Sequence, residues 1–304
     1  MSVHGRAKTT NMTLLIDGGM GQELRSRGLN PDAKTAGQAL IDSPKVIREI
    51  HEEFISAGAE IITVWNYALT KHRLALSNMA NRIDEMTRIA VEMANDARDR
   101  AGSSKVRIAG CLPPLRESYQ PNKQEFGSMI EEYTEIAMCL TPGVDLFLCE
   151  TMSSAAEAAA AAQAASIFGK PVWVSWTLRD EADGLLRSGE TLDDALAALD
   201  NIPIEATLLN CCDVSAVGNA MSSLRAKTTH LIGAYANAFT PISNDWKRNG
   251  NHFRELKDLA PETYADQVLR WCADGAEVIG GCCGIGPAHI AHLRELIDSG
   301  MLTA

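Results

Sequence analysis

Eight short β-type runs recur along the chain, each followed by a helical pattern, and this alternation limits the possible folds more than any other feature. The runs are "TLLID" (residues 13–17), "AEIITVW" (59–65), "VRIAG" (106–110), "DLFLCE" (145–150), "PVWVSW" (171–176), "ATLLN" (206–210), "HLIGAY" (230–235) and "AEVIGG" (276–281). Strands that alternate with helices pair in parallel, and eight such units predict a (β/α)8 TIM barrel, an α/β fold. The intervening helices carry start signals: Ser43-Pro44 opens one, Pro261 another, and Ser153 or Ser154 caps the alanine-rich run 153–169. A length of 304 residues suits one such barrel with extensions, and no Pro- or Ser-rich linker divides it. The expected organisation is a polar N-terminal extension over residues 1–12 and a single barrel domain over 13–304.

Charge and composition narrow the class of partner. Lys and Arg number 28 against 39 Asp and Glu, and the resulting net charge of -11 weighs against nucleic acid or an anionic membrane surface as partner. The first dozen residues lack the apolar core of a secretory signal, and no apolar run approaches the roughly 18 residues of a membrane helix. A cytoplasmic protein acting on a small molecule is expected. Eight cysteines are too few for a disulfide scaffold in a chain this long, and a reducing compartment keeps them as thiols.

A barrel collects its functional groups at the C-terminal ends of its strands. Those ends read Asp17-Gly18-Gly19, Cys149-Glu150-Thr151, Asn210-Cys211-Cys212 and Cys282-Cys283. Cysteines ending the sixth and eighth strands would face one another across the mouth, so Cys211 with Cys282 and Cys283 offers three sulfur ligands, a set that suits zinc. On residues alone the Gly-flanked pair also admits a vicinal disulfide or a packing role, because C-x-x-C spacing is absent. Neighbouring side chains on a strand point to opposite faces, so the pair converges only where the backbone turns, as Gly280, Gly281 and Gly284 permit. The same alternation points only one of Cys211 and Cys212 inward. Cys111, Cys139, Cys149 and Cys272 read as small inert packing residues. Asp17 and Glu150 together with the Gly18 and Gly19 amides read as a grip for an amino acid, the carboxylates for its ammonium and the N–H groups for its carboxylate. The Asp-Gly-Gly run also reads as a plain tight turn. His289 and His292, three apart on the last helix, read as surface or packing residues.

At these positions the chain resembles the zinc-dependent homocysteine S-methyltransferase family, which includes the betaine and S-methylmethionine enzymes and the homocysteine module of cobalamin-dependent methionine synthase. The likeness runs through "DGGMGQEL", "NPD", "HEEFISAGAEIIT", "CETMSSAAEA", "NCCD", "YANA" and "ADGAEVIGGCCGIGPAHI". It implies a (β/α)8 barrel with Zn2+ held by Cys211, Cys282 and Cys283, and homocysteine bound at its amino-acid end by Asp17, Gly18, Gly19 and Glu150. No catalytic residue is expected beyond the zinc site.

The implied reaction moves a methyl group from a cationic donor to the homocysteine thiolate and forms methionine. Charge cancels as the donor becomes neutral and the thiolate a thioether, which a low dielectric favours. "YANA" (235–238) is closer to the Tyr-Pro-Asn of S-methylmethionine enzymes than to the betaine branch, so a sulfonium donor is favoured and Asn237 lines the donor side or caps its loop. Trp65, Tyr67, Tyr119 and Trp246 offer ring faces to that cation, or pack. Two stretches depart from relatives: "TVWNYA" after the second strand, and "GCLPPLRESYQP" after the third, which lacks Gly-Pro-Tyr/Phe-Gly. Betaine or a methylcorrinoid protein as donor, and a non-catalytic binding barrel, are the alternatives.

Overall fold

Every one of the eight expected runs contributes a strand: β1 Leu14–Leu15, β2 Ile61–Thr63, β3 Arg107–Leu112, β4 Leu146–Met152, β5 Val172–Trp176, β6 Ala206–Asn210, β7 Leu231–Tyr235 and β8 Val278–Ile279. The structure is a computed structural model that describes residues 13–31, 36–242, 257 and 259–303. The N-terminal extension (1–12) and Trp246 lie outside the described residues. All strand pairs are parallel, in the order β1-β8-β7-β6-β5-β4-β3-β2. The circle closes through a bridge between Ile16 and Ile61, reinforced by the Asp17 amide donating to the Ile61 carbonyl at 3.0 Å and the Glu60 amide to the Leu15 carbonyl at 2.7 Å.

Both faces of a closed parallel sheet are covered, which is why the strands read as nearly continuous apolar runs. Inward-pointing Ile16, Ile61, Leu146, Trp173, Leu208 and Val278 fill the barrel. Outward-pointing Ile62, Ile108, Phe147, Val174, Leu209 and Ile279 meet the helices. This packing closes the inside of the barrel and leaves polar groups to collect at one rim.

The start signals act as read. Pro44 opens the helix Pro44–Ser56, which buries Ile47, Ile50 and Phe54 along one face, and Pro261 opens Pro261–Ala273. Ser154 caps Ala155–Ser166, its hydroxyl accepting from the Glu157 amide at 3.3 Å. Alanines make this helix narrow enough to lie close on β4 and β5. A short antiparallel bridge between Leu178 and Leu186 follows β5 and is absent from the sequence reading. Among the described residues no helix is long and apolar enough to cross a membrane.

Candidate active site

Three sulfurs converge where β6 and β8 end. Cys211 Sγ lies 3.9 Å from Cys283 Sγ, and Cys282 Sγ lies 4.0 Å from Cys283 Sγ. All three ligand atoms fall within 4.8 Å of one another. Two backbone turns achieve this. Cys211 sits in the left-handed region at φ 53°, which aims its sulfur into the mouth while Cys212 turns into the layer between strands and helices. Gly284, at φ 83°, reverses the chain after Cys283. Gly280 and Gly281 serve differently: a β-carbon on either would run into Ile16 or Ile285, so these glycines permit close approach rather than an unusual dihedral.

The donor set fits a thiolate-bound metal. Tetrahedral bonds of about 2.3 Å place sulfurs about 3.8 Å apart, close to what is seen. Contacts with the Cys211 and Cys283 sulfurs, together with burial, hold the Cys282 thiol well above its ordinary range. Three thiolates this close repel unless a cation lies among them.

Two carboxylates share the cavity, Asp17 buried and Glu150 half-buried. Asp17 Oδ2 accepts from the Thr63 amide at 2.7 Å and Oδ1 from the Thr63 hydroxyl at 3.1 Å. Glu150 Oε2 accepts from the Cys111 thiol at 3.3 Å. Among the described residues neither acid makes an ion pair. Burial, with the Glu150 charge adding to it, pushes Asp17 up to about 8. Burial likewise pushes Glu150 up to about 7, with Cys211 adding. Two acids lining one cavity, each pushed up by desolvation, call for a cation there.

Gly18 and Gly19 line the same cavity, but the Gly19 amide donates to the Ile285 carbonyl at 2.8 Å. Its β-carbon would stand 2.5 Å from the Cys282 carbonyl oxygen and 2.9 Å from Cys283 Cα. Glycine is needed here so that the first strand's turn can lie directly on the cysteine turn. Asn237 is buried behind the lining, where its Oδ1 accepts from the Phe239 amide at 3.1 Å; Phe239, not Asn237, reaches the cavity. Trp65, Tyr67 and Tyr119 all line a space of about 480 Å³.

Tyr119, read from the sequence as a ring face for the donor, also reaches the sulfurs, and further contributors carry no sequence signal. Tyr119 adopts φ 66° and places its hydroxyl 3.1 Å from Cys211 Sγ. The Arg187 guanidinium lies 5.2 Å from the centre of the Tyr119 ring and 3.0 Å from Asp180, with both charged side chains buried. Asn210 braces the strand ends: its Oδ1 accepts from the Ser175 hydroxyl at 2.7 Å and the Thr151 amide at 3.1 Å. Of the cysteines read as inert, Cys149 and Cys272 are packed away, whereas Cys111 contacts Glu150 and half-buried Cys139 contacts Asp84 at 2.9 Å. His289 ties its own helix start to the chain, with Nε2 2.7 Å from the Leu259 carbonyl.

Fold and mouth together have the form of a barrel enzyme for a small molecule. The chain belongs to the homocysteine S-methyltransferase family, whose model matches residues 14–297. It is 30% identical to the homocysteine S-methyltransferase of Escherichia coli (strain K12), over 92% of this chain and 94% of that protein. The selenocysteine methyltransferase of Astragalus bisulcatus is 24% identical over 94% of this chain and 93% of its own. Among solved structures, the metallated form of the homocysteine methyltransferase MmuM from Escherichia coli is similar in fold, with a TM-score of 0.79 and 24% identity over 94% of this chain and 96% of that one. This chain is accordingly a methyltransferase built on a (β/α)8 barrel.

Proposed function

We propose that the protein transfers a methyl group from a sulfonium, S-methylmethionine foremost, to the thiol of homocysteine, with zinc held by Cys211, Cys282 and Cys283. The observation that carries this reading is the placing in one cavity of three convergent sulfurs and two carboxylates that make no ion pair among the described residues. A molecule with an ammonium at one end and a thiol at the other, as homocysteine has, matches both.

Zinc at the three cysteines supplies the positive charge that keeps an acceptor sulfur deprotonated yet nucleophilic. Asp17 and Glu150 hold the acceptor's ammonium, and Thr63 and Cys111 orient these carboxylates. Trp65, Tyr67 and Tyr119 offer ring faces that steer the donor cation. The acceptor's proton leaves to solvent. Its sulfur then forms a bond to the methyl carbon as the methyl–sulfonium bond breaks, and the electron pair of that bond stays with the donor sulfur. The donor departs as a neutral thioether, and opposite charges vanish together in a poorly hydrated cavity. Holding both molecules in line is the chain's remaining contribution. "YANA" favours a sulfonium over betaine, and Tyr235 of that run lines the cavity.

A panel of donors with homocysteine, read as methionine formed, tests the proposal. S-methylmethionine is expected to lead and betaine to trail. Turnover with betaine but none with S-methylmethionine would reverse the order, and turnover only with an added methylcorrinoid protein would replace the mechanism.

A further inference from the structure

The charge in this cavity is lopsided. Two acids and three thiols line it, yet each molecule proposed to occupy it carries a carboxylate as well as a cation. One amide that the sequence offers to a carboxylate, that of Gly19, is committed to Ile285. Among the described residues that line the cavity, Arg25 is the single cation.

Arg25 belongs to the helix Met20–Ser26, which begins directly after Gly19. Side chains on a helix lean toward its N-terminus, so one starting at residue 25 covers the turn before it. Gly21 and Gln22 of that turn line the cavity together with Arg25. At a rise of 1.5 Å per residue, six residues carry the backbone about 9 Å along the helix from Gly19. Half-buried Arg25 therefore reaches the cavity from this helix, whereas the cysteines reach it from the ends of β6 and β8. Arg25 Nη1 lies 3.5 Å from Asn30 Oδ1.

With the acceptor's ammonium at Asp17 and Glu150 and its sulfur at the three cysteines, the donor takes the remaining space. Its positive sulfur must face the acceptor to present the methyl group, so its other end faces away. We infer that Arg25 binds the carboxylate of the methyl donor and so selects zwitterionic donors over plain methyl cations. The guanidinium fork matches a carboxylate in two parallel hydrogen bonds. This inference rests on the reading of the site as one for homocysteine and a sulfonium.

The test compares S-methylmethionine with its methyl ester, in wild type, R25M and R25K. R25M is expected to raise KM for S-methylmethionine roughly tenfold, the loss of one charge-assisted contact. KM for the ester and for homocysteine should stay as in wild type, and R25K should recover part of the loss. An equal rise for acid and ester would make Arg25 structural and overturn the inference, as would unchanged KM throughout. A rise confined to homocysteine would assign the wrong carboxylate and overturn it too. Failure of the underlying reading shows elsewhere, in wild type alone: an enzyme inert with both sulfoniums but active with betaine removes the donor assignment, and this inference with it.

Discussion

The thiol of Cys111 and the carboxylate of Glu150 meet across adjacent strands, Sγ standing 3.3 Å from Oε2. Register explains the meeting: Cys111 pairs with Leu148, and Glu150, two residues on, shares that face. Burial, and then the Glu150 charge, hold Cys111 well above the ordinary thiol range, so it stays protonated and donates. Glu150→Gln should weaken homocysteine binding about 10- to 150-fold, the worth of a charge-assisted hydrogen bond, with metal content unchanged. Cys111→Ala should cost less, about threefold, because it only frees Glu150 to turn. Titration of metal-loaded variants checks both; unchanged affinity in Glu150→Gln would remove this residue from the site.

Acceptor binding should depend on pH in a direction set by the acid pair. Burial raises Asp17 to about 8 and Glu150 to about 7, so both take up protons in the empty cavity near neutrality. An ammonium requires them charged, and homocysteine affinity should climb from pH 6 to 8.5 with protons released on binding. Stability of the ligand-free protein should run the other way. Folded-state values above the unfolded ones, near 4, give a contribution that is full below about pH 4 and lost as pH rises through 7 to 8. Calorimetry in two buffers of different ionisation enthalpy counts the released protons, to which the acceptor thiol also adds; wild type should release more than Asp17→Asn, and equal release would contradict the assignment. Asp17→Asn should flatten both profiles.

Gly19→Ala is expected to damage the site without unfolding the barrel. The added carbon meets main-chain atoms of Cys282 and Cys283, which cannot rotate away. Metal affinity should fall at least tenfold, by displacement of ligands held to a fixed geometry. Gly21→Ala is the control: its β-carbon finds Pro31 at 3.9 Å, an ordinary contact. Equal metal affinity in the two variants would refute the close-approach role.

Much of this was legible in the sequence, for reasons that also mark where reading stops. Runs such as 145–150 and 206–210 announce strands because both of their faces are buried, and the barrel then assigns their ends to one rim. Asp17, Glu150, Cys211, Cys282 and Cys283 could be found because each closes such a run. Cys111 also lies near a strand end, but its partner is 39 residues away and the pairing register is not written in either run. Tyr119 and Arg187 lie in loops whose paths are set by contacts distant in sequence, and nothing in "RESYQ" marks a residue at positive φ. Gly19 was recognised as special for its amide, whereas its lack of a side chain is what the fold uses.

The Arg187–Asp180 pair should prove to be a brace beneath Tyr119. Arg187→Met leaves Asp180 without its buried guanidinium, and a loss of about 3 kcal/mol in urea unfolding is expected. Tyr119→Phe removes only the hydroxyl near Cys211 and should cost under about 1 kcal/mol while weakening metal retention against a chelator. Wild-type stability in Arg187→Met would show that the pair braces nothing.

The most direct test of the account is the zinc content of purified protein, compared between wild type and a variant with alanine at Cys211, Cys282 and Cys283. About one zinc per chain is expected in wild type and almost none in the variant, since three thiolates supply the affinity. Alanine at Cys139 or Cys272 should leave the content unchanged. Full zinc content in the triple variant would place the metal elsewhere and contradict the claim that the ends of β6 and β8 build the centre.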